Sequence, residues 1–282
     1  MKHYILYNPL AGYGSQREKL DKLESFLSGE IVECDLTKGY DNLWDSLDAE
    51  DKIVISGGDG TLNKFINEIN TDSIENDILY YASGSGNDFL HDIGVEPGSA
   101  PFKINQYLKN LPTVTVKGKT YRFLNGIGYG IDGYCCEVGD KIKDTSDKPV
   151  NYTAIAIKGL LFGFKPVNAK VTVDGKKYDF KKVWIAPTMN GRCYGGGMIP
   201  TPDQDRLGDG QVSFMTLHGT GKLKTLMIFP SIFKGEHVKH TDNVEIIKGR
   251  EVTVEFDRPC ALQIDGETIL DVTSYTVHAN SK

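Results

Sequence analysis

The feature that most constrains the fold is a repeated order of apolar run, glycine-rich loop and amphipathic stretch in the first hundred residues. Three apolar runs end in loops of glycine and small polar residues. The loops are Asn8-Pro9-Leu10-Ala11-Gly12, Gly57-Gly58-Asp59-Gly60-Thr61 and Gly84-Ser85-Gly86-Asn87-Asp88. This alternation is typical of an α/β domain with a parallel sheet. Because such sheets bind ligands beyond the carboxyl ends of their strands, the three loops are predicted to meet at one edge.

After about residue 112 the pattern changes to short strand-like runs separated by turns, which predicts a β-rich, sandwich-like second domain. Two helical stretches interrupt it, Tyr152–Phe164 and Lys222–Phe233. The expected division is an α/β domain over residues 1–118 and a β-rich domain over 119–267. A last strand within 268–282 is left open to return to the first domain.

Composition narrows the class of protein. With 282 residues and about 150 per domain, two domains are expected. The net charge of −6 argues against a nucleic-acid partner, which would need clustered Lys and Arg. Five cysteines without a CxxC pair favour a reducing cytoplasm, and no run of 18 apolar residues is present to span a bilayer. Charge is uneven: residues 1–100 hold 7 basic against 19 acidic side chains, and the remainder hold 25 against 19.

The loop Gly57-Gly58-Asp59-Gly60-Thr61 is the strongest chemical signal. Paired glycines let backbone N–H groups approach a phosphate, and the following helix start favours negative charge. Asp59 suits Mg²⁺ or a magnesium-bound water, and Thr61 suits a helix cap or a phosphate donor. The alternative is a tight turn capped by Asp or Thr. No Gly-Lys-Ser/Thr follows, so the loop is not a Walker A motif.

Taken in order along the chain, these motifs resemble the bacterial diacylglycerol kinase catalytic-domain family. Sphingosine and ceramide kinases, NAD kinases and phosphofructokinases are more distant relatives that share the GGDG element. The resemblance extends through the second half of the chain. Its motifs there are Asn125-Gly126-Ile127-Gly128-Tyr129-Gly130-Ile131-Asp132, Asn190-Gly191-Arg192, Gly195-Gly196-Gly197, Leu207-Gly208-Asp209-Gly210 and Asp265-Gly266-Glu267.

The resemblance implies an α/β fold related to NAD kinase, ATP as phosphoryl donor and Mg²⁺ as cofactor. It also implies a set of nucleotide-binding positions. They are Asn8, Pro9, Leu10, Ala11, Gly12, Thr37, Gly57, Gly58, Asp59, Gly60, Thr61, Leu62, Asn63 and Ser85. The resemblance further implies a structural magnesium held by Asp209 with the carbonyl oxygens of Arg206 and Gln211, with Asp205 as the alternative ligand.

Asp265 carries two interpretations. From the residues alone, Asp265-Gly266 between two strand-like runs is a hairpin turn. The resemblance implies instead that Asp265 accepts the proton of the acceptor hydroxyl, with Asp59 organising phosphates and magnesium. Phosphoryl transfer needs positioning and charge neutralisation, which these groups would supply.

The expected function is an ATP-dependent lipid kinase that converts diacylglycerol to phosphatidic acid. The alternatives are a kinase for another alcohol, such as sphingosine or NAD, and a non-catalytic protein that binds nucleotide or lipid. A lipid acceptor implies peripheral contact with the inner face of the membrane by a cytoplasmic protein. The two helical stretches with their lysines are candidates for this contact, with core helices as the alternative. A homodimer is left open.

Two other features have simple interpretations. His237 and His240 lie three apart and are expected to be solvated beside Lys234 and Lys239, with a pair of ligands on a helix as the alternative. Cys135-Cys136 is expected to be a strand pair whose side chains face opposite sides.

Overall fold

The computed structural model describes residues 1–9, 16–84, 86–145 and 150–279. The chain divides into two compact units, residues 1–110 and 111–282. This division precedes the expected boundary at residue 118, because Thr113–Val116 pairs with the last strand of the second sheet. That last strand, Glu267–His278, pairs within the second unit and does not return to the first.

The N-terminal unit alternates strands and helices as the sequence predicts. Its strands are β1 (Lys2–Tyr7), β2 (Glu30–Asp35), β3 (Lys52–Gly57), β4 (Asp77–Ala82) and β5 (Phe102–Lys103). Its α-helices are α1 (Gln16–Glu24), α2 (Asp41–Trp44), α3 (Asp59–Glu68), α4 (Asp88–Ile93) and α5 (Asn105–Leu108). Short 3₁₀ turns cover Leu36–Lys38 and Thr71–Ser73.

These strands form one sheet in the order β2-β1-β3-β4-β5, in which the first four run parallel and β5 is antiparallel. Tyr7 pairs with both Asp35 and Ser56, and Gly57 pairs with Ala82. Four parallel strands therefore end at the same level. The segments that follow them leave from one edge of the sheet, which confirms the expected parallel arrangement.

The helices cover the sheet with their apolar stripes. Leu20 and Leu23 of α1 pack with Ile5 and Val54 in one buried cluster. On α3, the buried apolar positions are Leu62, Phe65 and Ile66. Their spacing of three to four residues is that of a single helix face, so each helix buries one stripe against the sheet.

The C-terminal unit is built mainly from antiparallel strands. They are β6 (Thr113–Val116), β7 (Lys119–Arg122), β8 (Gly126–Tyr129), β9 (Val167–Val173), β10 (Lys176–Val183), β11 (Thr188–Met189), β12 (Val212–Leu217), β13 (Val244–Gly249), β14 (Glu251–Ile264) and β15 (Glu267–His278). Its α-helices are α6 (Ile131–Lys143), α7 (Tyr152–Lys158) and α8 (Lys222–Ile228). A π-helical turn follows α7 over Gly159–Gly163, and 3₁₀ turns cover Phe229–Lys234 and Glu236–Lys239.

The centre of this unit is the long hairpin of β14 and β15. The strand β14 also pairs with β8 and β9, and β15 pairs with β6. The register shifts between Glu255 and Cys260, where Pro259 interrupts the ladder. A bulge at that point lets one strand continue through a proline that by itself predicts a strand end. The expected α/β plus β-rich, sandwich-like fold is confirmed.

Two local expectations were wrong. Cys135 and Cys136 lie on α6 and not on a strand. His237 is fully buried, and its Nε2 lies 2.9 Å from the carbonyl oxygen of Pro200. Only His240 of that pair is exposed. The neighbouring lysines indicated solvent, but contact with Pro200, far away in sequence, determines the burial of His237.

Within the ranges that the structure describes, none of the helices has the length and apolar character needed to cross a membrane.

Candidate active site

The first glycine loop forms the junction between β3 and α3. Gly58 caps α3, and its carbonyl oxygen accepts the N–H groups of Thr61 and Leu62 at 3.0 and 3.2 Å. The side chain of Thr61 folds back over Gly57: a Cβ added at Gly57 would lie 2.2 Å from the Thr61 Oγ1. Gly57 is therefore required by the path of the loop itself, and Thr61 lies against the backbone of the glycine pair.

The second glycine loop packs directly on the first. The N–H groups of Ser83 and Gly84 donate to the carbonyl oxygen of Gly57 at 3.0 and 3.1 Å. A Cβ on Gly84 would lie 2.5 Å from both the Cα and the N of Gly58. The two loops thus touch backbone to backbone, which only glycine permits at this distance. The expected convergence of these loops is present in the N-terminal unit.

Asp59 of the first loop forms hydrogen bonds with the second loop and with the start of α4. Asp59 is 9% exposed, and its carboxylate accepts the N–H groups of Asp88 at 2.8 Å and Phe89 at 3.2 Å. These are the first N–H groups of α4, and Asn87 at the cap position gives them no side-chain hydrogen bond. In return, the Asp59 N–H donates to the carbonyl oxygen of Gly86 at 3.3 Å. Asp59 therefore satisfies a helix start from another loop, which the sequence did not predict.

The charge of Asp59 also affects Tyr80, a buried residue of β4. Burial, and then the nearby Asp59 charge, raise the pKa of Tyr80 well above its usual value. The Tyr80 hydroxyl donates to the Gly57 carbonyl oxygen at 3.1 Å. The Oγ atoms of Ser56 and Ser83, on neighbouring strand ends, lie 3.0 Å apart. Polar side chains at the ends of β3 and β4 thus contact the backbone of the glycine loops or each other.

Of the predicted nucleotide positions outside the first glycine loop and α3, some follow β1 and β2 and the others lie outside the described residues. Asn8 is half-buried and Pro9 exposed, directly after β1. Thr37, after β2, is exposed, and its hydroxyl donates to Asp35 at 2.7 Å. That hydrogen bond, followed by the one from the Thr37 backbone N–H, lowers the pKa of Asp35. The other group lies outside the described residues. It consists of Leu10, Ala11, Gly12 and Ser85.

The helix α3 contributes the rest of the first loop's positions. Gly60 is exposed, and a Cβ there would meet nothing within 4 Å. Leu62 and Asn63 are buried, with Leu62 in the core. Lys64 donates to the Leu36 carbonyl oxygen at 3.2 Å, which ties α3 to the turn that carries Thr37. The structure therefore brings the described members of the predicted nucleotide set to one edge of the sheet.

In the C-terminal unit, Asp265 occupies a tight turn and also makes a long-range contact. Asp265 and Gly266 have φ of +47° and +97° and connect β14 to β15. The Asp265 carboxyl accepts the N–H groups of Leu124, Asn125 and Gly126 at 2.5, 2.8 and 2.9 Å. Asp265 is half-buried. The turn interpretation is thus correct, and the same residue is positioned by three backbone donors of another motif.

Other motif residues meet at the same backbone segment. Arg206 donates to the Leu124 carbonyl oxygen at 3.2 Å and to the Asn125 side chain at 3.1 Å. Asn190 donates to the Leu124 carbonyl oxygen at 2.9 Å. Motifs that are up to 141 residues apart in sequence are therefore one hydrogen-bonded cluster around Leu124–Gly126.

The loop proposed to hold magnesium is stabilised by hydrogen bonds of its own. The Asp209 carboxylate accepts the Gln211 N–H at 3.2 Å, and the Asp209 carbonyl oxygen accepts from Arg250 at 3.1 Å. Asp205 accepts the Leu207 N–H at 2.9 Å. Among the described residues, no group of three or more His, Cys, Asp and Glu side chains is arranged to hold a metal. The donors that the loop offers are carboxylate and carbonyl oxygens, which suit Mg²⁺.

Sequence reasoning missed a buried relay beneath the Asp265 turn. Gln263 is 3% exposed; its amide donates to Asp132 at 2.9 Å and its Oε1 accepts the Gly266 N–H at 2.6 Å. The signal was available, because Gln263 is a polar residue within the apolar run Ala261–Ile264. The absence of a side chain at Gly128 makes room for the Asp132 carboxylate, since a Cβ there would lie 1.3 Å from it.

A second missed residue supports the magnesium loop. Gln204 is 5% exposed and donates to the carbonyl oxygens of Asn190 at 3.3 Å and Gln211 at 2.9 Å. Its Oε1 accepts from Ser213 at 2.5 Å. Gln204 thus connects this loop to the cluster around Leu124–Gly126.

Both units of this chain match family models of known proteins. The family model described as the diacylglycerol kinase catalytic domain matches residues 2–117. The one described as the YegS C-terminal NAD kinase beta sandwich-like domain matches residues 125–278, more than half of the chain. The chain therefore belongs to the bacterial diacylglycerol kinase catalytic-domain family and is an enzyme of the lipid kinase type.

Individual relatives are distant but extensive. A Staphylococcus aureus (strain Newman) protein, provisionally named a lipid kinase, is 28% identical over 227 residues, covering 78% of this chain and 72% of its own. A diacylglycerol kinase of Mycobacterium tuberculosis (strain CDC 1551 / Oshkosh) is 25% identical over 213 residues, covering 73% and 67%. A crystal structure from Bacillus anthracis str. Sterne, provisionally named a diacylglycerol kinase, has a TM-score of 0.69 at 20% identity. It covers 98% of this chain and 91% of its own, which shows the shared fold.

Proposed function

We propose that this enzyme transfers the γ-phosphoryl group of ATP to the hydroxyl of diacylglycerol and so produces phosphatidic acid. The observation that carries the proposal is the backbone contact of the two glycine loops at the start of α3. A Cβ on Gly84 would lie 2.5 Å from Gly58, so these loops can present bare backbone to a ligand. Exposed N–H groups beside a helix start favour phosphate.

We assign the nucleotide to the N-terminal unit and the acceptor lipid to the C-terminal unit. In the N-terminal unit, Thr61 and the N–H groups of the glycine loops would bind phosphate oxygens. Asp59, which anchors the start of α4, would keep the loops in register while phosphates bind. Asn8 and Thr37, at the same strand ends, would contact the rest of the nucleotide.

Asp265 is the proposed general base. In the proposed step, the lipid hydroxyl gives its proton to the Asp265 carboxylate as its oxygen bonds to the γ-phosphorus. The bond between that phosphorus and the β–γ bridging oxygen breaks, and ADP leaves. The three donors Leu124–Gly126 fix the orientation of the carboxylate, which a base needs for efficient proton transfer.

Magnesium would be held by Asp209 with the carbonyl oxygens of Arg206 and Gln211, or by Asp205 in place of Asp209. When bound, it would supply neutralisation of negative charge. The Asp209 carboxylate already orders this loop through the Gln211 N–H. A cation there would act with that hydrogen bond to keep the loop near the cluster of Leu124–Gly126.

The decisive experiment incubates the purified protein with γ-labelled ATP and separate acceptors: diacylglycerol, sphingosine, ceramide and NAD. Label in phosphatidic acid is expected. Transfer to sphingosine or NAD alone would replace the acceptor, and no transfer to any of these would refute the proposal.

The base is tested with a matched pair of variants. Asp265 and Asp271 both have positive φ, which Asn tolerates, so Asp271→Asn matches Asp265→Asn in backbone conformation and in the chemical change. Loss of a general base lowers turnover by about 10²–10⁴-fold, so Asp265→Asn should show this loss and the exposed Asp271→Asn should not. Equal turnover in Asp265→Asn and the unmodified enzyme would remove Asp265 as base.

The acceptor is a membrane lipid, so we also propose peripheral association with the inner face of the cytoplasmic membrane. Residues 101–282 hold 25 basic and 19 acidic side chains, an excess of positive charge that the negative surface of a cytoplasmic leaflet would attract.

A further inference from the structure

The three most exposed large apolar side chains of the described residues lie in two adjoining segments of the C-terminal unit. Phe162 is 84% exposed, Leu223 78% and Met227 72%, the three highest values among large apolar side chains of the described residues. Phe162 lies in the π-helical turn after α7, and the other two lie on α8. We call these three side chains the apolar ridge.

The exposure of Phe162 is imposed by the inner face of its own turn. Leu160 is fully buried, and Gly159 and Gly163 lie against the ring of Tyr134 on α6. A Cβ on Gly163 would lie 2.2 Å from the Tyr134 hydroxyl oxygen. The turn cannot rotate to bury Phe162 without losing these contacts, so its ring points away from the packed side.

The helix α8 presents its apolar side chains in the same way. Thr225 and Ile228 are buried, at 0% and 1% exposure, and fix the inner face. Leu223 and Met227 are four residues apart and therefore lie on one outer face. Lys222 donates to the Leu161 carbonyl oxygen at 2.7 Å, which joins α8 to the π-helical turn. The two segments that carry the ridge are therefore anchored to the unit and joined to each other.

Basic residues border the ridge. Residues 150–166 and 220–235 contain no Asp or Glu. All five of their charged side chains are exposed lysines: Lys158, Lys165, Lys222, Lys224 and Lys234. Exposed apolar bulk with a lysine border is the arrangement of helices that lie at a membrane interface. The negative surface potential of a cytoplasmic leaflet attracts such lysines.

We infer that the apolar ridge and its lysine border dock this enzyme on an anionic bilayer. Phe162, Leu223 and Met227 would enter the headgroup–acyl boundary, and the lysines would contact anionic headgroups. A second copy of this chain is the competing occupant, but a two-fold contact would place the lysine borders against each other. Charge therefore favours the bilayer. The inference rests on the proposed lipid kinase function for its purpose, and its test does not require activity.

The first test measures cosedimentation with vesicles of phosphatidylcholine alone or mixed with phosphatidylglycerol. The unmodified protein is expected to bind only the mixed vesicles. Leu223→Gln should weaken that binding by about tenfold, because burial of a Leu side chain is lost, whereas Leu270→Gln on β15 should not change it. Lys224→Glu should weaken binding by about tenfold or more, and Lys177→Glu on β10 should act as its control.

The second test measures whether the side chain at position 162 enters the apolar part of the bilayer. In a Phe162→Trp variant, the tryptophan emission should shift to shorter wavelength on mixed vesicles, and in Leu270→Trp it should not. Failure of the unmodified protein to bind mixed vesicles, or equal weakening by Leu223→Gln and Leu270→Gln, would overturn the inference. A dimer in solution that Leu223→Gln dissociates would assign the ridge to a second copy and overturn it too.

The vesicle results are separate from the fate of the proposed function. Asp265→Asn should bind mixed vesicles as the unmodified protein does, although it is expected to lose turnover. Vesicle binding without phosphoryl transfer to any acceptor would refute the kinase assignment and leave the docking surface standing. Phosphoryl transfer to diacylglycerol in detergent without vesicle binding would support the kinase assignment and refute the docking surface.

Discussion

Replacement of Gly84 by alanine tests the contact on which the candidate nucleotide site is built. A Cβ at this position would lie 2.5 Å from the Cα and N of Gly58 and 3.1 Å from the carbonyl carbon of Gly57. Carbon atoms pack at about 3.5–4.0 Å, so the loops would have to separate by about 1 Å. That displacement acts on the bonds from Ser83 and Gly84 to the Gly57 carbonyl oxygen.

Overpacking of this kind costs about 1–3 kcal/mol. In a chain of this length, each kcal/mol lowers the Tm by roughly 2–4 °C. The Tm of Gly84→Ala should therefore fall by at least about 2 °C when unfolding of the full chain is followed by calorimetry. Phosphoryl transfer should fall as well, because the separated loops no longer hold their N–H groups in place.

Gly60→Ala is the matched control, since it makes the same chemical change in the adjoining loop. A Cβ on Gly60 meets nothing within 4 Å, and the residue lies in the first turn of α3. Alanine in a helix is more stable than glycine by about 0.5–1 kcal/mol, so the Tm should hold or rise. An unchanged Tm for Gly84→Ala, or an equal fall for both variants, would refute the backbone contact between the loops.

Three further predictions concern single buried groups. Asp59→Asn replaces one of the two carboxylate oxygens that accept N–H groups of α4, and should cost about 1–3 kcal/mol in urea unfolding. Gln263→Met removes the relay between Asp132 and the Gly266 N–H, and should cost a similar amount. Burial lowers the pKa of His237 from its ordinary value near 6.5, so the unfolded chain binds this proton more readily. The contribution of neutral His237 to the free energy of unfolding is complete above pH 6.5 and is lost as the pH falls below that value. The stability of His237→Phe should therefore decrease less than that of the unmodified protein when the pH is lowered.

Each of these predictions has a clear contrary result. Unchanged urea midpoints in Asp59→Asn or Gln263→Met would show that the buried hydrogen bonds contribute nothing net. For His237, the measurement is the difference in stability between pH 7 and pH 5. His3 and His218, whose pKa values burial also lowers, are present in both proteins and cancel. An identical pH dependence of the two proteins would exclude His237 as a source of the acid sensitivity.

The sequence predicted the N-terminal unit well because its signals are local. Apolar runs that end in glycine loops define parallel strands, and the carboxyl ends of parallel strands share an edge. The meeting of Gly58 and Gly84 follows from that rule alone. The role of Asp59 does not, because its partners Asp88 and Phe89 lie in the next loop and only the folded chain joins them.

The second unit was harder to predict because its strands contain misleading local signals. The run Gly126–Tyr129 alternates glycine with large residues and resembles a loop, but its glycines make space for Asp132 and for the side chain of Met189. Pro259 indicates a strand end, yet β14 continues past it with a shift in register. The hairpin at Asp265 was predicted from its Asp-Gly pair, but its contact with Leu124–Gly126 depends on pairing across the sheet.

The contiguous division of the chain has a consequence for the order of events during synthesis. All pairings of the first sheet lie within residues 1–110, so that sheet needs nothing from the later chain. A ribosome that adds about 5–20 residues per second takes roughly 8–31 s to travel from Asn110 to Asp265. The glycine loops can therefore assemble on the nascent chain before the proposed base has been synthesised.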